Sequence, residues 1–261
     1  MYYNMKIKKI LVLVIAFITL GLFSCKGKSA TGNLRFNANG EGFVANGFTD
    51  KTGWKINFTK VIINLGKISV TSKDKSTTIK LEKNYILDLK STGNAIVLVD
   101  QRNNVATTEY RRLKWSMLRM TSGEFKGYSL VLIGKAVKDG KSIDFIIKIN
   151  EELSWDCKEG YSGDVIKGIV KKGATGEVEM TFHFDHIFGD KGASPTTHVN
   201  TGSVGFDYFV KFAKEGKLVI DQQTLANKTD KKMYKKLLKA LHGLGHSGEG
   251  HADVVSSTTA L

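Results

Sequence analysis

From residue 34 to about residue 190 the chain returns to one pattern: a short run of β-branched and aromatic residues, then a polar or glycine-bearing break. In "WKINFTKVIINLGKISV" Trp54, Ile56 and Phe58 alternate with polar residues, the period of a strand with one buried face. "STTIKLEKNYILDL" and "AIVLVD" continue it. "GYSLVLIGKAVKDGKSIDFIIKI" reads as a hairpin, because Asp139-Gly140 accepts the φ > 0 of a type I′ turn. A second hairpin is expected to join "VIKGIVKK" to "EVEMTFHFD" across Gly173 and Gly176. With a single proline and almost no helical period, this spacing predicts a mainly β fold over residues 34–190. The expected form is an antiparallel β-sandwich of immunoglobulin or transthyretin type.

The pattern changes after residue 190. "GASPTTHVNTGSVG" reads as a loop and "GFDYFVKFAKEG" as a short helix ended by Gly216. "TDKKMYKKLLKALHGLG" reads as a longer helix, capped by Thr229 or Asp230 and stopped by Gly243 or Gly245. Met233, Leu237 and Leu241 share one face of it. Residues 191–261 are thus expected to be a loop and helices packing back on the sandwich.

Residues 1–24 carry a different message. Lys6, Lys8 and Lys9 precede an apolar run at residues 10–22, too short for a bilayer core that needs ~20 residues but suited to a signal peptide. It ends in Leu22-Phe23-Ser24-Cys25, which resembles the lipobox of bacterial lipoproteins. The resemblance implies cleavage before Cys25 and lipidation of its thiol, with residues 25–33 as a flexible tether to the membrane. The expected location is the cell envelope, lipid-anchored. Lys26 after the cysteine is not the aspartate that retains lipoproteins at the inner membrane, which favours the outer membrane or a periplasm-facing leaflet. Loss of residues 1–24 removes three lysines and no acid, so the formal charge falls from +14 to +11. The lysines are scattered, without the basic stripe or aromatic spacing of a nucleic-acid reader, so no nucleic-acid partner is expected. With Cys25 acylated, Cys157 has no cysteine to pair with, and it can at most add a soft ligand to a metal site.

Histidine is the scarce residue, and all six lie at or after residue 183. "HFDHIFGD" closes the last strand of the β region. Strand parity puts Val178, Met180, Phe182 and Phe184 on one face and Glu179, Thr181, His183 and Asp185 on the other. His186 falls on the apolar face unless a turn or bulge breaks the strand after Asp185. A second group, His242, His246, Glu249 and His251, lies in "HGLGHSGEGH", whose glycines argue against a continuous helix. His198 is a weaker candidate between them. Imidazole with carboxylate suits Zn²⁺, Cu²⁺, Ni²⁺ or Fe²⁺ better than Ca²⁺ or Mg²⁺. The expected ligands are His183, His186, His246 and His251, with Asp185 and Glu249 orienting them or replacing one. Zinc or copper is the expected ion. Neutral imidazole ligands imply that affinity weakens below about pH 6.5.

Two further resemblances bear on function. "GWKINFTKVIINLGKISV", "YILDL" and "EYRRLKWSML" resemble the β-sandwich region of periplasmic copper-binding proteins associated with methanobactin uptake. "FHFDHIFGD…GFD…LGHSGEGH" resembles a signature of uncharacterised envelope lipoproteins. The combined expectation is a cell-envelope lipoprotein that binds, transfers or senses a divalent transition metal, with an envelope protein as a further partner. Two alternatives stay open: an interaction module whose histidines are structural, and a metal-dependent hydrolase. No P-loop, G-x-S-x-G elbow, H-E-x-x-H or paired-cysteine motif points to catalysis.

Overall fold

Strand-forming sequence with one apolar face must bury that face, and here it does so between two sheets. A computed structural model of the chain describes residues 30–158, 167–248 and 250–259. The elements run β1 (Thr31–Asn39), α1 (Glu41–Asn46), β2 (Phe48–Thr49), β3 (Lys55–Ser72), β4 (Thr78–Lys80) and β5 (Tyr85–Asp88). There follow β6 (Ile96–Ala106), β7 (Tyr110–Met117), β8 (Leu130–Lys138), β9 (Lys141–Ile149), β10 (Leu153–Cys157) and β11 (Thr175–Phe182). The last third holds α2 (Asp185–Phe188), α3 (His198–Gly202), α4 (Asp207–Val210), β12 (Lys217–Asp221), α5 (Gln222–Lys228) and α6 (Lys231–His242). It ends with β13 (Gly245–Ser247), β14 (Gly250–His251) and β15 (Asp253–Ser257).

The smaller sheet has the order β14-β13-β11-β1-β6, and the larger runs β12-β9-β8-β3-β7-β10-β15, with β2, β4 and β5 also paired to β3. The β8–β9 hairpin turns as expected, with Asp139 at φ 49° and Gly140 at φ 74°. The core between the sheets is aromatic. Trp115 and Trp155 stack at 5.8 Å, Trp155 meets Phe182 at 6.2 Å, and Phe58 meets Phe184 at 5.7 Å.

Four expectations are corrected. The sheets are not purely antiparallel: β1 pairs with β11, and β12 with β9, in parallel. Among the described residues, the expected hairpin across Gly173 and Gly176 shrinks to a bond from Gly168 N to the Glu177 carbonyl (2.6 Å), because β11 takes β1 and β13 as its ladder partners. Residues 191–261 supply four strands as well as helices, so this segment is woven into both sheets rather than laid over them. Strand β1 begins at Thr31, inside the expected tether. Residues 1–24, Cys25 and Glu249 lie outside the described residues.

Helix α6 forms as its sequence predicts. Asp230 accepts hydrogen bonds from the backbone N–H of Lys232 and Met233 at its start. Leu237, Leu238, Ala240 and Leu241 form its buried face. The expected helix at "GFDYFVKFAKEG" is a single turn, α4, and Gly216 follows with φ 75°.

Candidate metal centre

The smaller sheet buries apolar side chains on its inner face and carries a row of polar ones on the other. Strand β11 sets that row. Its ladder with β13 pairs Thr181 with His246 and Phe182 with Gly245, and the His183 N–H then donates to the Leu244 carbonyl (3.1 Å). In an antiparallel pair, a residue and the one two beyond its direct partner share a face. His246 and His183 are such a diagonal pair, and their rings stack at 3.9 Å, within 6° of parallel. His251 stands opposite His246 across the β13–β14 ladder, its ring 4.4 Å away.

His186 arrives by a different route. After Phe182 the chain leaves the extended state and makes one helical turn, α2, with the His186 N–H donating to the His183 carbonyl (3.2 Å). The turn puts Phe184, Ile187 and Phe188 into the core at the i, i+3, i+4 spacing of a helix. Asp185 and His186 are thereby directed away from the Phe188–Phe58 contact and toward His183. The break that strand parity demanded is this turn, and Gly189 ends it at φ 76°.

The two histidine segments therefore meet. His183, His186 and His246 are all buried, and each offers a ring nitrogen such that these atoms lie within 4.8 Å of one another. The His186 ring is 6.1 Å from His183, 5.2 Å from His246 and 5.9 Å from His251. His251 is exposed, at the rim of the group. His198, on α3, meets His186 edge to face at 6.3 Å. Asn200 fixes that helix: its side chain bonds to Asp190 N–H and to the carbonyls of Asp190, Ala193 and Ser194.

His242 goes elsewhere. It ends α6, with Nε2 3.2 Å from Ser257 Oγ, which in turn donates to Glu151. Ser257 lies between the histidine and the carboxylate, the wrong order for a nucleophile activated by an oriented base. Glu151 accepts from Ser257, Thr258, Thr259 and Gln222, so the network ties down the C-terminal segment. Cys157 is buried in the core and is not among the grouped ligands.

No family model, curated protein or solved structure matches the chain.

Two atoms speak for a cation. His246 Nε2 lies 3.0 Å from the Gly243 carbonyl, which assigns the ring proton to Nε2 and leaves the lone pair on Nδ1. Nδ1 is buried without a hydrogen-bond partner, as is Asp185 Oδ1. Buried acceptors of this kind cost stability unless something satisfies them, and a metal ion does. A carbonyl behind the imidazole is the support that metal-bound histidines commonly have.

A tetrahedral ion with Zn–N near ~2.1 Å places its donors ~3.4 Å apart, so small side-chain rotations close the group. The parallel His183–His246 stack cannot survive this, because each lone pair lies in its ring plane. Binding must tilt the two rings apart.

Sequence reading missed one carboxylate. Glu41 Oε1 stands 3.4 Å from His183 Nε2. The parallel β1–β11 register, Asn39 opposite Thr181, carries residue 41 alongside residue 183. Nothing local in "NANGEGF" announces that pairing.

Burial sets the protonation. It pushes the His186 imidazole down to about 4 and that of His246 to about 3, with the neighbouring histidines adding to the effect. Burial likewise raises the Asp185 carboxyl, which the His183 charge opposes. His186 and His246 thus stay neutral and ready to ligate well below pH 6.5, and their proton competition for metal begins near pH 4. The sign for folding is opposite. Below about pH 6.5 the unfolded chain takes up protons that the fold refuses, so stability falls with pH down to the depressed values. At pH 5 each of the two costs about 2 kcal/mol by this linkage. The metal-free protein should melt lower at pH 5 than at pH 7, and His246→Leu should flatten that dependence.

The glycines have a packing reason. A Cβ on Gly243 would lie 2.6 Å from His186 Nδ1, and one on Gly245 would strike the Trp155 indole at 2.6 Å. Gly243 has φ −73°, which alanine adopts freely, so Gly243→Ala strains the imidazole and not the backbone. We expect it to weaken metal binding ~10-fold or more, with stability changed by under ~1 kcal/mol. Calorimetric titration beside a thermal melt checks both.

Proposed function

We propose that this chain is a lipid-anchored cell-envelope protein that binds a divalent transition metal, zinc or copper, for storage, transfer or sensing. One observation carries the reading: three buried imidazoles from two distant segments offer nitrogens within 4.8 Å of one another. The partnerless His246 Nδ1 and Asp185 Oδ1 support it.

His183, His186 and His246 form the inner ligand set. His251, exposed beside His246, is the fourth ligand and the point of entry, and Asp185 and Glu41 balance the charge of the ion. Among divalent ions this donor set should prefer Cu²⁺ over Zn²⁺. The anchor is read from the lipobox-like "LFSC" and the short leader. The immunoglobulin- or transthyretin-like form of the sandwich belongs to the same proposal, supported by two packed sheets.

Elemental analysis after gentle purification tests the reading, together with melts in added Zn²⁺, Cu²⁺ and Ni²⁺. An ion at 100 times its Kd stabilises the fold by about 2.7 kcal/mol. For a chain of this size that is a shift of several degrees. No metal above background and no shift with any of the three would reject it.

A further inference from the structure

The histidine group takes a cation, but the other chemically biased place in the fold has the opposite preference. Lys73, Lys75, Arg111, Arg112 and Lys158 line an open depression of about 740 Å³ on the larger sheet. Among the described residues, Thr71 and Ser72 complete the lining, and none of these side chains is a carboxylate.

Nearby acids hold several of these cations in place. Arg111 donates to Glu109 (2.9 Å), Arg112 makes a two-point bond to the buried Asp156, and Lys158 donates to Asp253 (2.7 Å). Lys73 stands 3.5 Å from Glu109. The one acid of the Lys73–Lys75 turn, Asp74, is engaged with Ser72 and Ser76. Preset guanidinium and ammonium groups around an open, hydroxyl-bearing hollow suit phosphate oxygens.

The place of the hollow says which phosphates. Thr31, the first residue of β1, pairs with Ala106. The Ala106 carbonyl accepts from the Tyr110 hydroxyl, and Tyr110 pairs with Ser72 in the lining. The Lys73 N–H donates to the Glu109 carbonyl, and the Gly173 N–H, after the exposed Lys171 and Lys172, donates to the Thr31 carbonyl. The basic hollow and the start of the fold therefore share one end of the sandwich. Six residue steps separate Cys25 from Thr31, a reach of ~20 Å at full extension.

We infer that this end docks on the phosphate headgroups of an anionic bilayer, with Lys73, Lys75, Arg111, Arg112 and Lys158 as the contact. The orientation rests on the lipid-anchored reading; the charge of the hollow does not. A lipid at Cys25 supplies one membrane signal, and a basic patch is the second that stable attachment commonly needs. Docked so, the larger sheet's basic end faces the headgroups and the protein is held in one pose.

The test uses the full chain with Cys25→Ser, which cannot be acylated. Its partitioning is measured on vesicles of phosphatidylglycerol with phosphatidylcholine and on phosphatidylcholine alone. Lys6, Lys8 and Lys9 of the leader also favour anionic vesicles, so the hollow's share of the preference is the part that the variants below remove. The expected result is ~10-fold stronger binding to the anionic vesicles, weakened as salt rises from 0.05 to 0.5 M. Lys73→Glu/Lys75→Glu/Lys158→Glu in the same background should remove the preference, and Lys73→Gln/Lys75→Gln/Lys158→Gln should reduce it, with melting unchanged in the latter. Equal binding to both vesicle types, or a preference untouched in the folded variants, would overturn the inference. So would saturation by inorganic phosphate without any vesicle preference, which would assign the hollow to a soluble anion. The mass of the N-terminal peptide from the Cys25 chain tests the anchor separately: an unmodified thiol counts against the lipid-anchored reading and leaves the vesicle comparison standing.

Discussion

Replacing His246 with alanine is expected to abolish tight metal binding while leaving the fold intact. Its Nδ1 is buried and bare, and its Nε2 is backed by the Gly243 carbonyl. Removing a supporting partner of a metal ligand typically costs 10–100-fold, so removing the ligand itself should cost more than ~100-fold. His183→Ala and His186→Ala should behave alike, because all three rings border the same point. His242→Ala is the control: its ring serves Ser257, and metal binding should be unchanged. Titration of the four variants with Zn²⁺ separates these outcomes. Stability moves the other way at acid pH, where His246→Ala removes a neutral imidazole that the unfolded chain would protonate.

Trp155→Ala should have the largest effect on stability. The indole is fully buried, stacks on Trp115 and meets Phe182, so it joins the larger sheet to the strand that carries His183. Its Nε1 donates to the His242 carbonyl (3.0 Å), and Gly245 packs on its ring without room for a Cβ. Truncating a buried tryptophan costs about 3–5 kcal/mol. In a domain of this size that lowers Tm by about 10 °C. Because β13 rests on this ring, the variant should also bind metal more weakly, even where it is still folded. Gly245→Val should give the same pair of losses from the other side of the contact. Thermal melts followed by metal titration below the transition distinguish this from His246→Ala, which loses binding alone.

The parts of this architecture that were legible in the sequence are the local ones. Alternation marked β3, Asp139-Gly140 marked the β8–β9 turn, and Asp230 with the leucine face marked α6, because each is decided by residues close in sequence. The parallel pairings β1–β11 and β12–β9 join distant segments, and no short-range pattern selects them. That is why Glu41 was invisible as a neighbour of His183. Histidine concentration pointed to two segments that the fold brings together, and strand parity identified the obstacle at His186. The solution, a helical turn, was written in the i, i+3, i+4 spacing of Phe184, Ile187 and Phe188, which reads as helix once the strand is allowed to end at Phe182. In sequence, the glycines of "HGLGH" suggest loop freedom. They instead make room for two rings, His186 and Trp155, a requirement that only the packed structure displays.

The most direct measurement is X-ray absorption at the metal edge of the protein loaded with one equivalent of Zn²⁺. The account predicts a single ion per chain, with three or four imidazole nitrogens at ~2.0–2.1 Å, losing imidazole scattering in His246→Ala. Zinc that stays fully hydrated, or a nitrogen shell unchanged when His183, His186 and His246 are all replaced, would contradict it.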